Sequence, residues 1–300
     1  MVTPPQQVKT PNTPYHTARR WVFAGAALVF CVGLAWGYYG ASRVTAKPEA
    51  ALAQQPDSAI NSLSVLPDFS LVTDVDLRKR QFFDYLEGYV NAENARILAT
   101  RRTLGLYDRV MTNGYPLSPM ERRELLKIAD EYRLEPGVVA GADGVSREVD
   151  EVLNDAAALV KALLERVDAI PVSLVLAQAA NESAWGTSRF AVDGNNLFGQ
   201  WCYVQGCGFV PYERASDADH EVRRFRSINA GVRAYFRNLN THPSYTHFRR
   251  MRARMRSQER ALDPIQLAYG LASYSQRGDF YIDEVQTIIQ QNDLHLRDEG

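Results

Sequence analysis

Cysteine and histidine are scarce, at three and five in 300 residues. A zinc centre needs around four ligands. Beside Cys202 and Cys207 only the scattered His220, His242 and His247 are at hand. No metal is therefore expected, and no phosphate loop or nucleotide motif suggests another cofactor. Charge of one sign is lacking as well: 34 basic residues against 35 acidic give a net charge of -1, which argues against a polyanion as overall partner.

Charge is absent altogether from Trp21 to Ser42. At the rise of a helix that stretch extends for roughly 30 Å, the thickness of a bilayer's hydrocarbon core. Trp21, Trp36, Tyr38 and Tyr39 near its ends suit the membrane interfaces, and Lys9, Arg19 and Arg20 before it favour a cytoplasmic start. The reading is a cytoplasmic tail at 1–20, a transmembrane anchor at 21–42 and a linker at 43–76. The rival is a signal peptide cut at Gly40 to Ser42. Acids are also missing between Glu221 and Glu259, where Arg223, Arg224, Arg226, Arg233, Arg237, Arg249, Arg250, Arg252, Arg254 and Arg256 all lie. Such a run is ordinarily a solvated helix face. An anchored chain without a nucleic-acid motif gives no reason to expect nucleic acid as partner.

Residues 77–169 read as a helical accessory region. Phe82, Leu86, Tyr89 and Val90 form one apolar stripe, Asn113-Gly114-Tyr115-Pro116 stops the helix, and Ser118 with Glu121 makes a capping box for the next. The chemistry belongs to 170–296. IPVSLVLAQAANES is helical, with Pro171 in its first turn and Val172, Val175, Leu176 and Ala179 at helical spacing. Glu182 ends that face. Apolar neighbours and the negative end of the helix both raise a carboxyl's pKa there, as a general acid near neutral pH requires. The ordinary alternative is a helix-end glutamate with its head in water. Trp185 and the run Gly194 to Gly199 then supply turn formers and amides around an apolar pair, a lining suited to sugar hydroxyls and N-acetyl groups. Trp201 to Phe225 switches to short strands, a small β-hairpin lobe facing the helix, and helices return from Ser227. The fold class is α+β, mainly α, with a cleft between a helical lobe and the hairpin.

The order Q-A-x-x-E-S-x-W-G, N-N-L-F-G, F-x-S from Phe225, and Y-S-x-R-G-x-x-Y from Tyr274 to Tyr281 resembles bacterial endo-β-N-acetylglucosaminidases of glycoside hydrolase family 73. More narrowly, it resembles the Bax-type glucosaminidases of Gram-negative bacteria, related to the flagellar peptidoglycan hydrolase domain. The resemblance implies a lysozyme-like catalytic domain that cleaves peptidoglycan between N-acetylglucosamine and N-acetylmuramic acid. In it Glu182 is the acid, Tyr274 lies at the cleft, and Trp185, Asn195, Asn196, Phe198 and Gly199 bind substrate. A lytic transglycosylase or a non-catalytic peptidoglycan-binding scaffold are the alternatives.

For the second carboxylate, the pattern of the flagellar glucosaminidases, counted back from Phe225, implies Glu213, with Glu221 as modulator or substitute. A hairpin turning about Asp217 would set the two side by side across strands. Tyr281 reads as a core aromatic. With Cys31 in the anchor and the domain in an oxidising periplasm, a Cys202 to Cys207 disulfide is the simplest reading, zinc and free thiols being the alternatives. The expected partners are peptidoglycan glycan strands and the inner membrane through the N-terminal helix. Stem-peptide carboxylates or anionic lipids would meet the arginine run.

Overall fold

The computed structural model describes residues 66–134, 139–140, 146–147, 156–211, 219–275 and 277–298. The anchor expected at 21–42, Cys31, the tail and the linker up to residue 65 lie outside these residues, as does Glu213. Among the described residues no helix is long and apolar enough to cross a membrane.

Helix α1 runs from Val75 to Thr112 and starts where Asp74 accepts the Leu77 N–H at 2.8 Å. Phe82, Phe83, Leu86, Val90, Ile97 and Leu104 recur at helical spacing and are all buried, so one face of this long helix forms a wall of the core. Gly114, at φ +83°, turns the chain after it. The capping box closes in both directions, Glu121 N–H to Ser118 Oγ and Ser118 N–H to the Glu121 carboxylate, and opens α2 at Pro119–Glu131.

After a two-stranded pairing of β1, Val139–Ala140, with β2, Ser146–Arg147, come α3 at Ala156–Arg166 and α4 at Val172–Ser183. Helix α4 is buried almost all round, since Leu174, Val175, Leu176, Ala177, Ala179 and Ala180 are each fully inaccessible. It packs against α1, against α9 at Asp279–Gln291 and against the 3-10 turn Leu294–Asp298. Each large apolar side chain buried in this way contributes about 1.5–3 kcal/mol. Because α1, α3 and α4 share one buried cluster, the accessory and catalytic segments are continuous in their core.

Short helix α5, Arg189–Gly194, leads to a sheet of β3 (Trp201–Cys202), β4 (Gly208–Phe209) and β5 (Glu221–Arg223). The sheet order is β3-β5-β4, all antiparallel. A mainly helical α+β protein is what the sequence suggests, but the β-lobe is three strands with β5 in the middle. Val222 pairs with Trp201 on one side and Phe209 on the other. Helices α6 (Ile228–Thr241), α7 (Thr246–Ser257) and α8 (Pro264–Ala268) complete the fold before α9.

The arginine run is only partly solvated. Arg249 and Arg252 are buried, and Arg252 donates to the carbonyls of Glu165, Arg166, Asp168 and Ala169 at 3.1–3.2 Å. Arg249 does the same for Leu239 and His242 at the end of α6. A helix terminus leaves its last carbonyls without intrahelical partners, and a guanidinium satisfies several at once. Buried Asp168 balances this charge, accepting from Arg256 at 3.0 Å with Arg101 at 3.6 Å. Arg250 and Arg254 of the same helix are exposed.

Candidate active site

Glu182 occupies the last turn of α4, and the chain reverses directly behind it. Ala184, Trp185 and Gly186 are all left-handed, at φ 50°, 54° and 77°. For the two non-glycine residues this costs about 1–2 kcal/mol each. Local bonds hold the turn: Ser183 Oγ donates to the Ala179 carbonyl at 2.6 Å and accepts the Gly186 N–H at 2.8 Å. Glycine is required at 186 for a second reason, since a Cβ there would stand 2.9 Å from the Phe69 ring and 3.1 Å from the Phe82 ring. Aromatics of the N-terminal segment thus press on the turn that follows Glu182. Lys79 of α1 lies over the Trp185 ring, 5.4 Å from its centroid.

Burial lifts the Glu182 carboxyl to about 7. The Tyr281 hydroxyl and the Arg277 charge act in the opposite direction, while the Glu284 charge reinforces the rise. Surrounding aromatics supply the low-dielectric wall: Tyr274 stacks on Tyr281 at 5.6 Å and 7°, and also neighbours Tyr235 and Tyr245. A directional chain of hydrogen bonds orients the Tyr281 hydroxyl. Tyr235 donates to Gln178 Oε1 at 2.5 Å, and Gln178 Nε2 donates to the Tyr281 oxygen at 2.8 Å. With its oxygen already accepting, the Tyr281 proton is left to point at Glu182. Gln178 precedes Glu182 by one helical turn, which is why both reach the same tyrosine.

The loop of Asn195 to Gly199 brings backbone up to the acid. Asn195 is left-handed and donates to the Phe225 carbonyl at 3.0 Å. Asn196 is buried and fully used: its amide donates to Gln200 O and Arg223 O, and its oxygen accepts from the N–H groups of Phe198 and Gln200. Phe198 is buried too, stacked on Tyr235 at 4.1 Å, and its carbonyl accepts the Tyr274 hydroxyl at 2.7 Å. Asn196, Phe198 and Tyr274, expected to face substrate or catalyse, are thus engaged in holding this loop to the helical lobe and the sheet. Gly199, at φ +63°, ends it with space for a Cβ only 3.1 Å from Glu182 Oε2.

Glu221 lies on β5 opposite Cys202, buried, with its two carboxylate oxygens accepting the N–H groups of Gly206 and Gly208 at 2.9 and 2.7 Å. A disulfide joins Cys202 and Cys207 across the same turn, with Cα atoms 6.3 Å apart. Ligand atoms of Cys202, Cys207 and Glu221 lie within 4.8 Å of one another, but sulfurs bonded to each other leave no thiolate for a metal.

Sequence reasoning missed Gln178, Tyr235, Arg277 and Glu284 and placed Tyr281 in the core. Tyr281 is indeed buried, yet its hydroxyl influences the Glu182 carboxyl. The available signal was Gln178 one turn before Glu182, Tyr281 and Glu284 in the first turns of the last helix, and Arg277 just before it. Arg277 and Glu284 form a bidentate pair at 2.6 and 2.7 Å, and Asn181 donates to Glu284 at 3.3 Å.

Residues 157–294 match the family model described as Glucosaminidase, mannosyl-glycoprotein endo-beta-N-acetylglucosaminidase. The chain is 33% identical over 231 residues to the "Protein bax" of Escherichia coli (strain K12), covering 76% of this chain and 75% of that one. No solved structure matches.

Proposed function

The chain belongs to the Bax-like glucosaminidase family, a group of glycoside hydrolase type, and from that premise we propose that it hydrolyses the β-1,4 bond between N-acetylglucosamine and N-acetylmuramic acid in peptidoglycan. The reading includes the family 73 and flagellar-hydrolase kinship, a lysozyme-like catalytic arrangement, and a membrane anchor at 21–42 that places the domain in the periplasm. The observation that carries it is Glu182: a buried carboxyl whose pKa is raised to about 7, influenced by the Tyr281 hydroxyl and bordered by a glycine backbone.

Protonated Glu182 gives its proton to the glycosidic oxygen as the C1–O bond breaks, and the sugar passes through an oxocarbenium-like state. The carboxylate left behind is stabilised by the Tyr281 hydroxyl, oriented by Gln178. Glu213, or the substrate's own acetamido oxygen, stabilises the positive centre before water adds. Glu221 modulates from a distance by fixing the turn at Gly206 to Gly208. Trp185, Asn195 and Gly199 border the bound sugars.

Mass spectrometry of digested sacculi tests the reaction. Reducing N-acetylglucosamine ends are expected. Anhydro-muramyl ends would make the protein a lytic transglycosylase, and unchanged sacculi a binding scaffold.

A further inference from the structure

Beside the sheet lies a second concavity of about 340 Å³, lined by Gly206, Cys207, Gly208, Arg224, Phe225 and Arg226. Its floor is rigid and low. Gly206 and Gly208 carry no side chain, and Glu221 beneath holds both of their N–H groups. The Cys202 to Cys207 disulfide fixes the turn from the other side. Its walls are cationic, since Arg224 and Arg226 are exposed.

Arg224 is held in an unusual way. Its backbone N–H bonds to the Cys207 carbonyl, and its guanidinium lies 4.3 Å from the centroid of Phe209, whose ring also neighbours the Arg189 guanidinium at 5.6 Å. Among the described residues no carboxylate pairs with Arg224. An aromatic face orients a guanidinium while leaving its N–H edge available for a bidentate carboxylate. The concavity is also tied to the acid's loop: Phe225 N–H donates to the Gly194 carbonyl at 2.8 Å and Asn195 to the Phe225 carbonyl at 3.0 Å. That loop ends at Gly199, against Glu182.

We propose that this arginine-walled concavity receives a carboxylate of the peptide branch carried by the glycan strand, so that the protein prefers peptide-bearing over peptide-stripped glycan. The inference rests on the peptidoglycan reading above and adds a substrate preference to it. Anionic lipid headgroups are a different class of partner, and the glycine floor beside the acid's loop favours the branch of a strand lying in the cleft.

The test uses binding, so that it does not depend on cleavage. In a full-length Glu182→Gln background, titration calorimetry compares a peptide-bearing disaccharide-peptide with the same disaccharide after amidase treatment. Binding of the peptide-bearing ligand is expected to be about tenfold tighter, an advantage lost in Arg224→Gln and partly kept in Arg224→Lys. Equal affinity for both ligands, or an advantage that survives Arg224→Gln, overturns the proposal. So does Arg224→Gln weakening co-sedimentation with phosphatidylglycerol vesicles while leaving the advantage intact. Unchanged sacculi with this preference present would refute the hydrolase reading and leave the site standing.

Discussion

Glu182 combines two demands that conflict in most folded proteins, burial and ionisability. With its pKa raised from 4.5 to about 7, ionising it in the folded state costs more than in the unfolded chain. The sign follows directly: stability is unaffected below about pH 4.5 and is lost as pH rises through 7. Glu182→Gln is therefore expected to raise the melting temperature at pH 8, with a gain of roughly 1–3 kcal/mol that vanishes near pH 4. Thermal melts at both pH values check this, and an equal gain at both would show that the group is not perturbed. Tyr281→Phe removes a hydroxyl that favours the ionised form, so the pH at which activity declines should move upward. A decline at the wild-type pH would show that Tyr281 does not act on the acid. The position of Glu182 was legible because helix periodicity fixes which residue ends an apolar face. The tyrosine's role was not, because a hydroxyl at the rim of a core cannot be told from a buried ring by spacing alone.

At the scale of elements, the turns around Glu182 are the sensitive parts. Gly199→Ala places a methyl 3.1 Å from the Glu182 oxygen on a backbone at φ +63°. Activity should fall by about tenfold or more while stability drops by only about 1 kcal/mol. Steady-state rates alongside urea unfolding check it, and a rate near wild type would place the substrate path elsewhere. The capping box, the N-N-L-F-G turn and the cysteine pair could be read locally, because each is set by a few residues close in sequence. Strand order could not: β5 enters between β3 and β4 through long-range pairing, and a period-two pattern carries no information about which strand is central. The arginines of α7 were misread for a related reason. Charge was expected outside, but Arg252 is completely buried because it serves the carbonyls ending α3. Arg252→Ala is expected to cost about 3 kcal/mol, read from the urea midpoint; a loss below half of that would mean water replaces the guanidinium.

For the whole molecule, the family match begins at residue 157, yet the core that supports Glu182 includes Phe69, Phe82, Leu86 and Val90. A fragment starting at 157 is predicted to lack cooperative unfolding by circular dichroism, whereas one covering 66–298 keeps it. The sequence suggested an accessory segment because α1 carries no chemistry of its own, and the shared core was hidden because contacts between α1 and α4 join residues far apart in the chain. The mainly helical α+β class and the place of Glu182 at the end of a buried helix were thus readable, and the continuity between segments was not. All of these parts converge on one acid that is protonated near neutrality. Its most direct test is the pH dependence of kcat/KM on purified sacculi for wild type and Glu182→Gln. The account predicts wild-type activity that falls as pH rises through about 7 and a variant at least about a hundredfold slower at every pH. A folded Glu182→Gln protein with near-wild-type turnover would contradict it.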